Sequence, residues 1–203
     1  MVATQDSARQ ARCIIEAELR ARAAYAEPGR HYHDQRHLDD CLAQLDTLHD
    51  LSDRDRLLLS WAILWHDAVY EPRRRDNEER SAELAHREMV ACGVPQQDAA
   101  EVARLIRLTQ SHKADSSDRL GALMVSIDLS ILGADPDRYR AYVQGVRREY
   151  AHVPDAMWQA GRSELLERFL AADPLFPDPG YRERLEAQAR GNMQEELSSL
   201  GEG

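Results

Sequence analysis

The stretch LLLSWAILWHDAVYEP, residues 57–72, runs apolar for two helical turns and then sets His66 beside Asp67. A helix that is apolar on every side is typical of a protein core. Pro72 disfavours helical backbone at the residue before it, so this helix should end close to Asp67. The sequence therefore predicts two ionisable side chains at the end of a core helix.

The flanking sequence has the same helical period. Apolar residues recur at intervals of three and four, and sustained strand-like alternation is absent from the sequence. Ser52 or Asp53 is suited to cap the core helix, and Asp76 or Asn77 the helix that follows. We predict an all-α helical bundle, with one domain over residues 1–203, a core over about 30–150, and C-terminal helices over 154–200 that pack on it.

Composition narrows the partners and the compartment. A formal net charge of -10 argues against general nucleic-acid binding and against anionic membranes, since both would repel the chain. The opening MVATQDSARQ does not resemble a signal peptide, and apolar runs are too short to span a bilayer. Cys13, Cys41 and Cys92 are far apart and odd in number, as expected of core residues in a reducing compartment. We expect a cytoplasmic protein, and its amphipathic helices allow a homodimer.

Four ionisable residues fall beside apolar surfaces in the helical pattern: His37, His66, Asp67 and Asp128. Buried ionisable groups are costly unless they are paired or bound to a metal. Two imidazoles and two carboxylates form a mixed nitrogen and oxygen set. We therefore predict one divalent ion between core helices, which is manganese, iron, cobalt, nickel, zinc or magnesium.

The order of these residues resembles the HD-domain superfamily of metal-dependent phosphohydrolases, whose pattern is a histidine, a His-Asp doublet and a distant aspartate. Further blocks are similar to those of a group of predicted metal-dependent HD phosphohydrolases and span about residues 30–150: YHDQRH, WHDAVYE, NEERSA, LIRLTQSH, DLSILG and YRAYVQGVRREY. One departure is Ser126, which stands where a further acid is expected.

The resemblance implies a mechanism in which His37, His66, Asp67 and Asp128 hold the ion, and a water activated by it attacks a phosphate ester. Asp67 would also orient that water. Glu78 is the candidate general acid or base, since a carboxylate can relay the proton. The alternative for Glu78 is an ordinary acidic residue in the first turn of a helix, where the helix dipole favours it.

Four residues are candidates for substrate binding. His33 is four residues before His37 and would share its helix face if the helix began early enough, so it would contact substrate or hydrogen-bond a neighbouring segment. Arg75 and Arg80 follow the doublet and could receive a phosphate, although such residues often form a solvated face. His112 closes an apolar helix, where it would contact substrate or provide a favourable C-terminal charge.

The expected function is hydrolysis of a phosphate ester of a nucleotide or another small phosphorylated metabolite. One alternative is a non-catalytic regulatory protein that keeps the metal and binds a nucleotide. Another is a structural doublet, in which His66 and Asp67 only cap a helix end and pair with arginine. Metal-dependent turnover would distinguish a phosphohydrolase from a non-catalytic regulatory protein and from a structural doublet.

Overall fold

A computed structural model describes residues 2–115 and 117–201, with side chains from residue 8 onward. All regular structure in these residues is helical, so the predicted all-α class is confirmed. None of these helices combines the length and the apolar composition needed to cross a membrane. The α-helices are α1 (Val2–Ala24), α2 (Gln35–Asp46), α3 (Asp53–Trp65), α4 (Asn77–Ala91), α5 (Gln96–Ser111), α6 (Arg119–Asp128), α7 (Pro136–Glu149), α8 (Asp155–Leu170) and α9 (Pro179–Gly201), and a 3₁₀ helix covers Leu129–Gly133.

Helix starts follow the capping residues that the sequence offers. Of the two candidates before α3, Ser52 is the N-cap, and its hydroxyl accepts the N–H of Asp55 at 3.1 Å. Asp135 caps α7 by accepting the N–H of Arg138 at 3.0 Å. These side chains satisfy backbone donors that a helix leaves unpaired in its first turn. Asp76 occupies the N-cap position of α4, but its side chain does not make the predicted capping hydrogen bond.

The described chain divides into two compact units. The first contains the chain up to Pro28 together with His33–Ser111, and the second contains Gly29–Tyr32 together with the chain from His112 onward. The single-domain organisation expected from the sequence stays a prediction.

Helix α3 is the centre of the first unit. It contacts α1, α2, α4 and α5, and α4 packs along α5. Leu57 is exposed, but the apolar residues from Leu58 to Trp65 are buried, as expected for a helical segment without a polar face. The buried residues of α3 are Leu58, Leu59, Trp61, Ala62, Ile63, Leu64 and Trp65.

The cysteine prediction was wrong for two of the three residues. Cys13 of α1 and Cys92 at the end of α4 form a disulfide, while Cys41 is free and buried. The pairing arises because α1 packs against α4, which brings together residues 79 positions apart. Disulfides persist mainly in oxidising environments, so the cysteines no longer favour a reducing compartment.

The 3₁₀ helix organises the second unit. It contacts α6, α7 and α9, and α8 packs on α9. Ser126, which departs from the expected acidic residue, is fully buried, and its hydroxyl accepts the N–H of Asp178 at 3.1 Å. Its hydroxyl therefore has a structural partner in this unit.

A carboxylate and a glycine hold the short segment Gly29–Tyr32. Glu149 is buried, and one of its oxygens accepts the N–H groups of His31 and Tyr32, both at 2.7 Å. A Cβ atom at Gly145 would lie 2.7 Å from the carbonyl oxygen of His31. The segment can approach α7 because position 145 has no side chain.

A buried ion pair joins α8 to α9. Arg162 and Glu196 are almost fully buried and form two hydrogen bonds, of 2.7 and 3.0 Å. The hydroxyl of Tyr139 donates to Glu196 at 2.5 Å, and that of Tyr142 accepts from Arg162 at 3.0 Å. These neighbours supply the partners that a buried charge needs.

Glu186 of α9 holds the segment before that helix. It accepts the N–H groups of Leu175 and Phe176 at 3.1 and 3.3 Å and pairs with Arg190 at 2.6 Å. Burial by itself would raise the pKa of Glu186, but the two backbone donors and the guanidinium lower it below its ordinary value.

Candidate metal centre

Three side chains of the first unit form a compact triangle of ligand atoms. The Nε2 atoms of His37 and His66 lie 3.0 Å apart. Asp67 Oδ2 lies 3.1 Å from the His66 nitrogen and 3.6 Å from the His37 nitrogen. Both histidines are buried, and the Asp67 side chain is 14% exposed. The doublet and the distant histidine thus meet, as a shared metal site requires.

The end of α3 makes this meeting possible. The helix stops at Trp65, and His66 is its C-cap residue. Adjacent residues inside a helix point about 100° apart, so they would not face the same ion. Because helical backbone ends before Asp67, the two neighbouring side chains converge with His37 of α2, as predicted from Pro72.

The hydrogen bonds of His66 determine which of its nitrogens faces the triangle. His66 Nδ1 lies 2.7 Å from the carbonyl oxygen of Ile63. A carbonyl can only accept, so Nδ1 carries a proton and donates it. In a neutral imidazole, Nε2 then carries the lone pair, which points toward the other ligand atoms. A second hydrogen bond that fixes the ligating nitrogen is common among metal-binding histidines.

The three atoms need positive charge among them. A neutral His66 would face the Asp67 carboxylate lone pair to lone pair at 3.1 Å, which is unfavourable unless a proton or a cation lies between. Burial by itself would raise the pKa of Asp67, but positive charge on His66, His33 and His37, with the His66 hydrogen bond, holds it well below its usual range. The cluster therefore stabilises an ionised carboxylate beside two imidazoles.

The separations fit a divalent transition metal. Ligand atoms about 2.1 Å from one ion lie about 3.0 Å apart at right angles and about 3.4 Å apart at the tetrahedral angle. The observed 3.0, 3.1 and 3.6 Å are close to these values. His37, His66 and Asp67 could accordingly hold a metal ion.

Tyr25 supports the doublet, although no sequence motif singles it out. Its ring is fully buried, and its hydroxyl oxygen accepts the N–H of Asp67 at 3.2 Å. The same oxygen lies 3.5 Å from His66 Nδ1. A tyrosine just after a helix is common, and only its packing in the first unit distinguishes this one.

Asp128, the predicted fourth ligand, belongs to the second unit. It is the last residue of α6, and its Oδ2 lies 3.2 Å from His112 Nε2. His112 follows α5 with a φ of 52°, in the left-handed region, and its ring meets Phe169 edge-on. The ligand role of Asp128 and the substrate role of His112 stay predictions.

His33 lies close to the cluster in the first unit. Its ring stacks on Tyr70 at 4.2 Å between centroids and lies 5.8 Å from the ring of His37. Its positive charge also contributes to the low pKa of Asp67. This position is consistent with a residue beside the ligands, and its contact with substrate stays a prediction.

The other predicted residues lie on and before α4. Glu78 is half-buried in the first turn, whereas Arg75 and Arg80 are exposed. Between them, Asn77 is buried and its amide bonds both the N–H and the carbonyl of Glu71, at 3.1 and 2.9 Å. Asn77 thus fixes the chain that follows the doublet, a structural role that the sequence did not reveal.

No family model, curated protein or solved structure matches this chain.

Proposed function

We propose that this protein is a metal-dependent phosphohydrolase that cleaves a phosphate ester of a nucleotide or another small phosphorylated metabolite. The observation that carries the proposal is the buried triangle of two imidazole nitrogens and one carboxylate oxygen, 3.0 to 3.6 Å apart. The ordered sequence blocks that resemble the HD-domain superfamily support the same activity. The ligand role of Asp128, expected from the sequence, stays a separate prediction.

A divalent ion, when bound at such a site, supplies Lewis acidity that favours attack of water on a phosphate ester. The chain would contribute orientation. The Nδ1 bond to Ile63 fixes the ring of His66, and the ionised Asp67 carboxylate can accept a hydrogen bond from the attacking water. Glu78 would relay a proton during the reaction.

Substrate recognition would depend on the arginines after the doublet. Arg75 and Arg80 are exposed, so their guanidinium groups can reach an anion from solution. Two planar, permanently charged forks suit the oxygens of a phosphate group. His33 and His112 would contact other parts of the substrate.

The test is phosphate and nucleoside release from a panel of nucleotides and sugar phosphates, with added manganese, cobalt, nickel, magnesium or zinc. Asp67→Ala is compared with wild type, and His49→Ala is the matched control because His49 is an exposed histidine of the same unit. We expect metal-dependent turnover in wild type and His49→Ala and none in Asp67→Ala.

Other outcomes assign the site differently. Metal and nucleotide binding without turnover would favour a non-catalytic regulatory protein. A wild-type protein whose stability is unchanged in the absence of metal would favour a purely structural role for the doublet. The metal content of the purified protein, measured by mass spectrometry, separates these two results.

Location and assembly belong to the proposal as well. A cytoplasmic protein is expected from the sequence, yet the Cys13–Cys92 disulfide counts against a reducing compartment. A homodimer stays a prediction.

A further inference from the structure

We propose that Tyr25 is a positioning residue for the metal centre, and that its hydroxyl sets the backbone of the His66–Asp67 doublet. The inference rests on the proposed metal site and adds to it a residue outside the ligand set. Tyr25 lies one residue beyond α1 and its side chain is only 1% exposed.

One oxygen atom contacts both members of the doublet. The Tyr25 hydroxyl accepts the N–H of Asp67 at 3.2 Å and lies 3.5 Å from His66 Nδ1. It also lies 3.4 Å from the carbonyl oxygen of Ile63, to which it donates. That carbonyl is the group that fixes the protonated nitrogen of His66.

These contacts explain how α3 opens at the required place. In a continuing helix, the N–H of Asp67 would bond the carbonyl of Ile63, four residues earlier. Here α3 ends at Trp65, the N–H of Asp67 donates to Tyr25, and Ile63 accepts from the imidazole of His66. Tyr25 thus accepts the hydrogen bond of the Asp67 N–H, which no longer bonds within the helix. As a result, the adjacent side chains of His66 and Asp67 can face one ion.

Helix α1 is fixed well enough to carry this role. Its Cys13 is bonded to Cys92, at the end of α4. Further along, Glu18 accepts the indole N–H of Trp61 at 3.0 Å, and Arg20 pairs with Glu88 at 2.6 Å. The helix is therefore tied to both α3 and α4 before the chain reaches Tyr25.

The test compares Tyr25→Phe with wild type. The change removes one hydroxyl and keeps the ring, so the first unit should still fold, which circular dichroism checks. We expect Co²⁺ to bind roughly 10-fold more weakly, a typical effect of losing a hydrogen bond that orients a metal ligand. The visible absorption spectrum of bound Co²⁺ should also change, because it reports ligand geometry.

Tyr181→Phe is the matched control, since Tyr181 is equally buried but belongs to the second unit. It should leave Co²⁺ affinity and the spectrum as in wild type. A second readout needs no metal: exchange of the Asp67 amide hydrogen, followed by NMR, should be faster in Tyr25→Phe than in wild type.

The outcomes distinguish this inference from the proposed function. Equal Co²⁺ affinity, an equal spectrum and unchanged Asp67 exchange in Tyr25→Phe would overturn the positioning role while the metal site stands. A wild-type protein that binds no Co²⁺, manganese or zinc would overturn the metal site, and the positioning role with it.

Discussion

Replacing Cys13 by Ser and Cys92 by Ala is expected to destabilise the first unit by about 3–5 kcal/mol. The bond joins residues 79 positions apart, so it closes a long loop that includes all of α2, α3 and α4. Without it, the unfolded chain gains the freedom that this closure removes, while the folded unit keeps its helix contacts.

The magnitude follows from the size of the loop. For a loop of about 80 residues, the chain-entropy relation gives about 15 cal/mol/K, which is about 4.5 kcal/mol at 25 °C. The sulfur of Cys92 is buried, and its loss removes a further small amount of packing. A change of this size is a large share of the 5–15 kcal/mol that typically stabilises a folded domain.

Urea denaturation followed by tryptophan fluorescence measures the effect. A Trp158→Phe background leaves Trp61 and Trp65, which both lie on α3, so the signal reports the first unit. A dithiol reductant should destabilise the parent protein by a similar amount and leave the cysteine variant unchanged.

Counting thiols tests the bond itself. Unfolded protein without reductant should show one reactive thiol, that of Cys41, and three after reduction. Three reactive thiols before reduction, or a parent protein whose stability does not change with reductant, would contradict a stabilising Cys13–Cys92 disulfide.

Further predictions concern the second unit, and chemical denaturation measures each. Because the pKa of Glu186 is lowered in the folded protein, its ionised form stabilises the fold above the unfolded pKa of about 4.3, and this contribution disappears as pH falls through the folded pKa. The free energy of unfolding should therefore decline less from pH 5 to 3 in Glu186→Gln than in the parent protein, and equal declines would contradict this. Glu196→Gln should lower the free energy of unfolding by about 3–5 kcal/mol because the Arg162 cation stays buried without its carboxylate. Adding Arg162→Met should recover most of that loss; a double variant as unstable as Glu196→Gln would show instead that the pair itself is stabilising. Gly145→Ala should lower the free energy of unfolding by about 1–3 kcal/mol because the new Cβ would meet the backbone of His31, whereas Gly161→Ala, which has open space around it, should raise it by about 0.5–1 kcal/mol. Similar effects at the two glycines would argue against the close contact at Gly145.

Local signals gave the helices and the doublet. The all-α class follows from apolar periodicity, and the start of α3 from Ser52, since a cap needs only the next few residues. The end of α3 near Asp67 follows from Pro72 in the same way. That His37, His66 and Asp67 lie together was expected from the cost of burying ionisable groups, and their ligand roles stay predictions.

Contacts between distant segments, by contrast, come from tertiary packing. The Cys13–Cys92 bond and the contact of Tyr25 with Asp67 join residues 79 and 42 positions apart. Neither has a local signature, because each depends on how α1 packs against α3 and α4. Sequence patterns are enough to predict which segments are helical and which ionisable residues lie at their ends, since those features depend on neighbouring residues. Which side chains then meet was decided by packing, because burial brings helices together without regard to their separation along the chain.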